Sequence, residues 1–280
     1  MADGSDPFAV SPDTPLDRLD VMLVAAGFTD SRAKAQRLIK SGRVRVDGVV
    51  VTKPSFMVKA AHNELAVNGG DDYVSRGASK LLGAFERFAD YGLPEPRDMD
   101  CLDIGASTGG FTEVLLRRGA HRVIALDVGH GQLHPRIAGD DRVIEMSGVN
   151  IRDVEADDLP YRPAMIVSDV SFISLTYVLP VVARIAAPGA HIVLLVKPQF
   201  EVGREGLGKN GIVEHAQLRE QALARVVACA GDCGLTVKAT DDSPIEGTHG
   251  NHEYLLYAVA ASSTRRGTGS ARMNADGCPH

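Results

Sequence analysis

Five short apolar segments recur between residues 100 and 196 with helix-period stretches between them, and this alternation restricts the fold more than any other feature. The segments are residues 100–104, 122–126, 143–146, 165–168 and 191–196. Residues 112–118 and 173–187, which lie between them, carry apolar side chains at helical spacing. Residues 79–88 do the same, with Leu81, Leu82, Phe85 and Phe88 on the inward side. Strands alternating with helices give a parallel sheet covered on both faces. Residues 236–239 and 253–259 read as closing strands, with Gly247 and Gly250 in the loop between. The expectation is an α/β body over residues 78–261, doubly wound and Rossmann-like, with its ligands beyond the C-terminal strand ends.

Those strand ends carry the informative residues. The first opens into Asp103-Ile-Gly105-Ala-Ser107-Thr-Gly109-Gly110-Phe111-Thr112. Glycines between a strand and a helix let a ligand approach the backbone, and the helix N-terminus adds positive potential. A plain structural turn would also use them. The second strand ends at Asp127, 24 residues beyond Asp103, where a carboxylate can accept hydrogen bonds from both hydroxyls of a ribose. The spacing is G-x-x-x-G-G rather than the G-x-G-x-x-G of dinucleotide oxidoreductases, which stay as the lesser alternative. Glycine loop and second-strand acid together resemble the S-adenosylmethionine-dependent methyltransferases. That resemblance implies a cofactor set of Asp103, Gly105, Ser107, Gly109, Gly110, Phe111, Thr112, Asp127, Asn150 and Asp169.

Four ionisable residues are spread across the same body. Lys80 sits in the leading helix, Asp169 ends the fourth strand, Lys197 ends the fifth, and Glu253 opens the last. A charge beside a strongly apolar strand is costly unless paired, so ordinary ion pairs would account for any one of them. The ordered set of lysine, aspartate, lysine and glutamate resembles the tetrad of FtsJ-type ribose 2′-O-methyltransferases.

Ahead of this body lies a segment of different charge. The whole chain of 280 residues carries a net charge of −6, yet residues 16–60 hold nine basic and four acidic side chains, a net +5 that leaves −11 for the rest. Leu16, Leu19 and Leu23 share one face of a predicted first helix that Gly27 ends. Asp30 or Ser31 can cap a second helix running to Ser41, with Gly42 as its stop. Arg37 lies three residues from both Lys34 and Lys40, forming a basic stripe opposite Ala35, Leu38 and Ile39. Asp47-Gly48 between two valine-rich strands suits a type I′ hairpin, and alternation places Arg43 and Arg45 beside the stripe. Convergent cations bind phosphate backbones, although a charge run alone also fits a solvated face. The pattern RLDVMLVAAGFTDSRAKAQRLIKSGRVRVDGVVVTKPS resembles the RNA-binding fold named after ribosomal small-subunit protein four. It implies a small α+β RNA-binding domain over residues 16–72, joined by residues 73–77.

Taken together, residues 16–261 resemble the TlyA family of ribosomal RNA (cytidine-2′-O)-methyltransferases, some of which carry the historical label haemolysin. Further matches are Tyr73-Val-Ser-Arg76-Gly-Ala-Ser-Lys80 and Lys197-Pro-Gln-Phe-Glu-Val-Gly-Arg204. The resemblance implies S-adenosylmethionine as cofactor and ribosomal RNA as partner, within ribosomal subunits. It implies RNA contacts at Arg18, Arg32, Lys34, Arg37, Lys40, Arg43, Arg45, Arg76 and Arg204. A ribose hydroxyl is a poor nucleophile, so a base must take its proton. A lysine can do so only when its pKa falls from about 10.4 toward neutrality, which a neighbouring ammonium promotes. The implied roles are Lys197 as base, Lys80 as the second ammonium that also orients the ribose, Asp169 positioning Lys197 and the methyl donor, and Glu253 holding the lysines.

Other classes fit poorly. No run of eighteen apolar residues occurs and the first residues are acidic and polar, so neither a membrane span nor a signal peptide is expected. Cys101, Cys229, Cys233 and Cys278 lack paired spacing, which suits reduced thiols in the cytoplasm. His130, His134, His249 and His252 have no companion ligands at metal-site spacing, so no metal is expected. Residues 1–15 and 262–280 read as disordered tails, and the glycine-flanked 203–211 as a mobile loop in which Arg204 and Lys209 could grip RNA. An RNA-binding factor without catalysis is the alternative from another class. A membrane-lysing toxin finds no amphipathic segment to support it.

Overall fold

The computed structural model describes residues 16–26, 28–29, 31–59, 63–67, 73–247 and 250–262. The expected tails, Gly27, Asp30, His249 and Cys278 therefore lie wholly or almost wholly outside the described residues. The chain forms two units that divide between Asp72 and Tyr73.

In the first unit, β1 (Leu16–Arg18) leads into α1 (Leu19–Ala25) and α2 (Arg32–Lys40). These are followed by β2 (Val44–Val46), β3 (Val49–Val50), β4 (Met57–Lys59) and β5 (Leu65–Val67). Strand β2 pairs with β3 and β5, while β1 pairs with β4. Leu19, Leu23, Ala35, Ile39, Val44, Val46 and Val58 close one small core. Asp47 and Gly48 both have positive φ (50° and 79°), the conformation a type I′ turn requires. Ser31 caps α2 by accepting the Lys34 N–H. One expectation fails here: Leu16 does not start the first helix. Its backbone is extended and paired opposite Lys59, and its side chain is exposed. Its helical spacing to Leu19 is overridden by a strand partner more than forty residues away, which local periodicity cannot register.

The second unit begins its regular structure at α3 (Ala78–Phe88) and builds a seven-stranded sheet. Its strands are β6 (Asp100–Ile104), β7 (Arg122–Asp127), β8 (Val143–Ser147), β9 (Met165–Ser168), β10 (His191–Val196), β11 (Thr236–Asp242) and β12 (Tyr254–Val259). The order is β11-β12-β10-β9-β6-β7-β8, with every neighbouring pair from β10 to β8 parallel and β12 antiparallel to both its neighbours. The period of two along each strand divides the core. Leu102, Ile104, Ile166, Ile192 and Leu194 face α6 (Leu175–Ile185) and α8 (Ala216–Asp232). Cys101, Met165, Val167, Val193 and Leu195 face α3 and α4 (Gly110–Arg117). Side chains burying on both faces explain why these strands read as unbroken apolar runs. The unit is an α/β, doubly wound fold.

Candidate active site

At the end of β6 the backbone turns sharply. The Gly105 and Ala106 N–H groups both donate to the Leu126 carbonyl oxygen, at 2.8 and 3.1 Å. Gly105 has φ +82°, and a Cβ there would stand 3.1 Å from the Asp169 carbonyl oxygen, so glycine is needed for both backbone and space. Gly110 packs directly against Ser75, whose Oγ would have to move aside for a Cβ 2.1 Å away. Asp127, at the end of β7, accepts the Ser107 N–H at 2.8 Å on one oxygen and the Gly129 N–H at 2.8 Å on the other. Each oxygen keeps a second lone pair for a ligand hydroxyl.

Asp103 is placed differently from the rest of that loop. Its side chain is fully buried, and the Thr112 hydroxyl donates to Oδ2 at 2.7 Å while Oδ1 has no partner. Burial, reinforced by the nearby Asp169 and Asp127 carboxylates, pushes its pKa up to about 7. Thr112 is equally buried, and Gly109 directs its Cβ position at Leu133 and Ile137. These three support the loop from behind.

Two cavities open beyond the strand ends. The larger, about 700 Å³, is lined among others by Arg76, Lys80, Gly105, Ser107, Gly110, Phe111, Asp169, Ser171, Lys197 and Glu253. The smaller, about 570 Å³, is lined among others by Gly105, Asp127, Asn150, Asp169, Ser171 and Phe172. Gly105, Ser107, Asp169, Ser171 and Phe172 belong to both.

The four separated ionisable residues meet on the wall of the larger cavity, and Asp169 among them also lines the smaller. Lys80 Nζ lies 2.7 Å from Glu253 Oε2 and 3.6 Å from Asp169 Oδ2. Lys197 Nζ lies 2.6 Å from Asp169 Oδ1 and donates to Ser171 Oγ at 2.9 Å. The 2.6 Å approach is an ion-pair contact, too oblique to count as a hydrogen bond to Oδ1. Sheet register makes this meeting unavoidable. Val196 pairs with Tyr254 and Leu194 with Ser168, so Lys197, Glu253 and Asp169 leave three adjacent strands at one edge. Lys80, Lys197 and Glu253 are buried and Asp169 is half-buried, a charge set that its own opposite signs neutralise.

The basic residues of the first unit divide into two sets. Asp20, fully buried, accepts from Arg18 Nε, Arg32 Nε and Gln36 Nε2 at 2.9, 2.9 and 2.7 Å. The Arg18 guanidinium in first place holds the Asp20 carboxyl well below the usual carboxylate range. Arg18 and Arg32 thus hold the fold together, whatever else they touch. Arg37 and Lys40 are exposed on α2; Lys34, Arg43 and Arg45 are half-buried. Arg45 donates to the Gly48 carbonyl oxygen. In the second unit Arg204 opens the turn Arg204–Gly206, and Leu207, Asn210 and Gly211, which follow that turn in sequence, line the larger cavity.

Several wall residues were not anticipated. Ser171, Phe172, Gln199, Phe200 and Asn251 all line the larger cavity. Phe172 is 91% exposed with φ +63°, and its ring lies 5.2 Å from that of Phe200. The run Asp169-Val-Ser171-Phe172 directly after a strand was a usable signal, but a positive φ at phenylalanine has none. Among the described residues no group of histidine, cysteine and acidic side chains could hold a metal, and no helix is long and apolar enough to cross a membrane.

Comparison with known proteins fits this geometry. The FtsJ-like methyltransferase family matches residues 73–259 and the S4 domain matches residues 17–63. The 16S/23S rRNA (cytidine-2′-O)-methyltransferase TlyA of Mycobacterium tuberculosis is 43% identical over 241 residues, covering 86% of this chain and 88% of that one. The chain belongs to the TlyA family of FtsJ-like methyltransferases. Hemolysin A of Brachyspira hyodysenteriae, similar to this family member, is 41% identical over 86% of this chain and 99% of its own. A solved structure from Streptococcus thermophilus, described as a candidate hemolysin, shares 42% identity and a TM-score of 0.66 over 89% of this chain and 90% of its own.

Proposed function

We propose that this methyltransferase transfers a methyl group from S-adenosylmethionine to the ribose 2′-oxygen of a cytidine in ribosomal RNA. The first unit docks on structured RNA, and the enzyme works on ribosomal subunits in the cytoplasm. The observation that carries the reading is the unbroken ionic chain Lys197–Asp169–Lys80–Glu253 along the larger cavity, with Asp169 shared by the smaller. The names of the TlyA relatives supply the cytidine and the ribosomal RNA.

The smaller cavity fits a nucleoside-bearing cofactor. Asp127 presents carboxylate oxygens already fixed by backbone N–H groups, suited to a ribose diol, and Gly105 leaves a close approach that any Cβ would fill. Asn150, whose side chain accepts the Arg152 N–H, is held on the same wall. S-adenosylmethionine bound there would supply a methyl group on positively charged sulfur, reactive toward an oxygen approaching in line. The chain's own residues then have four tasks. Lys197 accepts the 2′-hydroxyl proton on Nζ. Asp169 holds Lys197 and presents negative charge to both cavities it lines, where a cationic donor is favoured. Lys80, anchored by Glu253, orients the ribose from the opposite side. Phe172 and Phe200 offer apolar ring surface at the rim, on which a nucleobase taken out of its stack can rest. Alignment of this kind is the main contribution a protein makes when the cofactor carries the reactive group.

Replacing Lys197 by alanine tests the reading. Methylation of ribosomal RNA, followed by mass mapping of its nucleosides, is expected to fall by about 10²–10⁴. Binding of S-adenosylmethionine by calorimetry should persist. Near-normal methylation by Lys197→Ala would overturn the assignment of the base.

A further inference from the structure

The two lysines of the site are not held alike, and the difference singles out a residue without charge. Lys80 Nζ lies between two carboxylates, Glu253 at 2.7 Å and Asp169 at 3.6 Å. Lys197 Nζ has one carboxylate neighbour, and its one aligned hydrogen bond goes to a neutral hydroxyl, Ser171 Oγ at 2.9 Å. A neutral amine nitrogen carries two N–H bonds and one lone pair besides its carbon. As a base it must aim that lone pair at the substrate hydroxyl, which requires both N–H bonds to be directed elsewhere. The Asp169 contact supplies charge but is off-axis, so it fixes direction poorly. Ser171 provides the direction.

Ser171 is also in the right place. It lines both cavities, as does Asp169, so it stands where the methyl donor and the sugar hydroxyl would meet. The backbone after it is strained: Phe172 has φ +63°, a conformation non-glycine residues rarely adopt and one that persists where surrounding structure enforces it. The segment leaves β9, carries the Ser171 hydroxyl against Lys197, and bends at Phe172 directly after it.

Resting on the reading of Lys197 as base, we infer that Ser171 is a positioning residue for methyl transfer. Its hydroxyl oxygen accepts one Lys197 N–H and thereby points the lysine lone pair into the larger cavity. No bond to Ser171 is made or broken. The proton removed from the 2′-hydroxyl ends on Lys197 Nζ, and the ammonium so formed keeps the same hydrogen bond.

Four variants of the full-length enzyme test this, with kcat and KM for S-adenosylmethionine and for ribosomal RNA measured from pH 6 to 10. Ser171→Ala and Ser171→Val are expected to lower the high-pH plateau of kcat by about 10–100-fold, with both KM values within about threefold of the parent. Ser171→Thr, which keeps an acceptor oxygen in the shape of valine, should retain kcat within about threefold. The fourth variant, Lys197→Ala, separates the two readings. If it is inactive while Ser171→Ala has normal kcat, the role of Ser171 is refuted and the base stands. If Lys197→Ala is active, the reading of the base fails first. Equal loss in the threonine and valine variants, or a change confined to KM, would show a role in shape or binding and overturn the inference.

Discussion

Asp103 gives the sharpest test of how the glycine loop is supported. Its carboxyl has no accessible surface, one oxygen takes the Thr112 hydroxyl, and the other has no partner. Burial is the largest cause of its displacement, and the Asp169 and Asp127 carboxylates add to it. Moving a carboxyl from 3.8 to about 7 makes ionisation inside the fold about 4 kcal/mol harder than in the unfolded chain. The folded protein therefore holds this proton to higher pH than the unfolded chain does. Stability contributed by the group is greatest below pH 4, declines as pH rises toward 7, and levels off above it. Asp103→Asn keeps an acceptor for Thr112 but cannot ionise, so it escapes that decline. Relaxation and water entry reduce such penalties, so the variant should gain about 2–4 kcal/mol on the parent between pH 4.5 and pH 8. With an m-value of about 3 kcal/mol/M, the urea midpoints should separate by roughly 1 M. The chain has no tryptophan, so far-UV circular dichroism is the suitable probe. Other titrating groups are common to both proteins and cancel in the difference. Parallel midpoints from pH 4.5 to 8 would refute the argument that Asp103 is a buried acid without a cationic partner.

Three further outcomes are expected. Gly105→Ala must place a side chain at φ +82° and 3.1 Å from the Asp169 carbonyl oxygen, so calorimetric affinity for S-adenosylmethionine should drop at least about tenfold while circular dichroism stays native. Asp20→Ala strands Arg18, Arg32 and Gln36 and should cost the first unit about 3 kcal/mol at pH 7. Because the folded carboxyl titrates below its unfolded value, that contribution is complete above about pH 4 and fades in stronger acid, so the gap in thermal unfolding between variant and parent should narrow steadily as pH falls from about 4 to about 2. Lys80→Met leaves Glu253 buried without its 2.7 Å partner and should destabilise by about 3–5 kcal/mol. Adding Glu253→Gln should recover much of that stability without restoring methylation, and recovery of both would reduce the pair to scaffolding.

The legible parts of this molecule share a physical cause. Strands β6, β9 and β10 are buried on both faces, so each is written as an apolar run that no surface strand would carry. The Asp47-Gly48 turn was visible because few residue pairs tolerate two positive φ values. What escaped depends on distant partners. Leu16 keeps helical spacing yet joins β4, and Arg18 and Arg32 count as cations in a charge tally while both are bound to Asp20. Ser171 escaped for a related reason. A hydroxyl is common in loops, and only the side chain opposite, Lys197, makes this one informative. The sequence places Asp103 among ligand contacts because strand-end acids usually face the cavity, whereas its side chain turns inward to Thr112.

Why the charged set assembles at all follows from one reversal in the sheet. In a wholly parallel sheet only the C-terminal strand ends reach the ligand edge, and each contributes the residue that follows it. Asp169 and Lys197 arrive in that way, one step past β9 and β10. Both neighbours being carried by strands running the same way, a third parallel strand would bring its own trailing residue. Strand β12 instead runs antiparallel beside β10, so the residue that precedes it, Glu253, comes to the same edge opposite Lys197. The end of β11 is thereby tied to the edge as well, with the Ser243 N–H donating to the Glu253 carbonyl oxygen. Lys80 then enters from α3, on one face of the sheet, and its ammonium bridges the carboxylate of a parallel strand to that of the reversed one. A site of alternating sign thus follows from strand direction, and its cost of burial is offset by pairing that the register enforces.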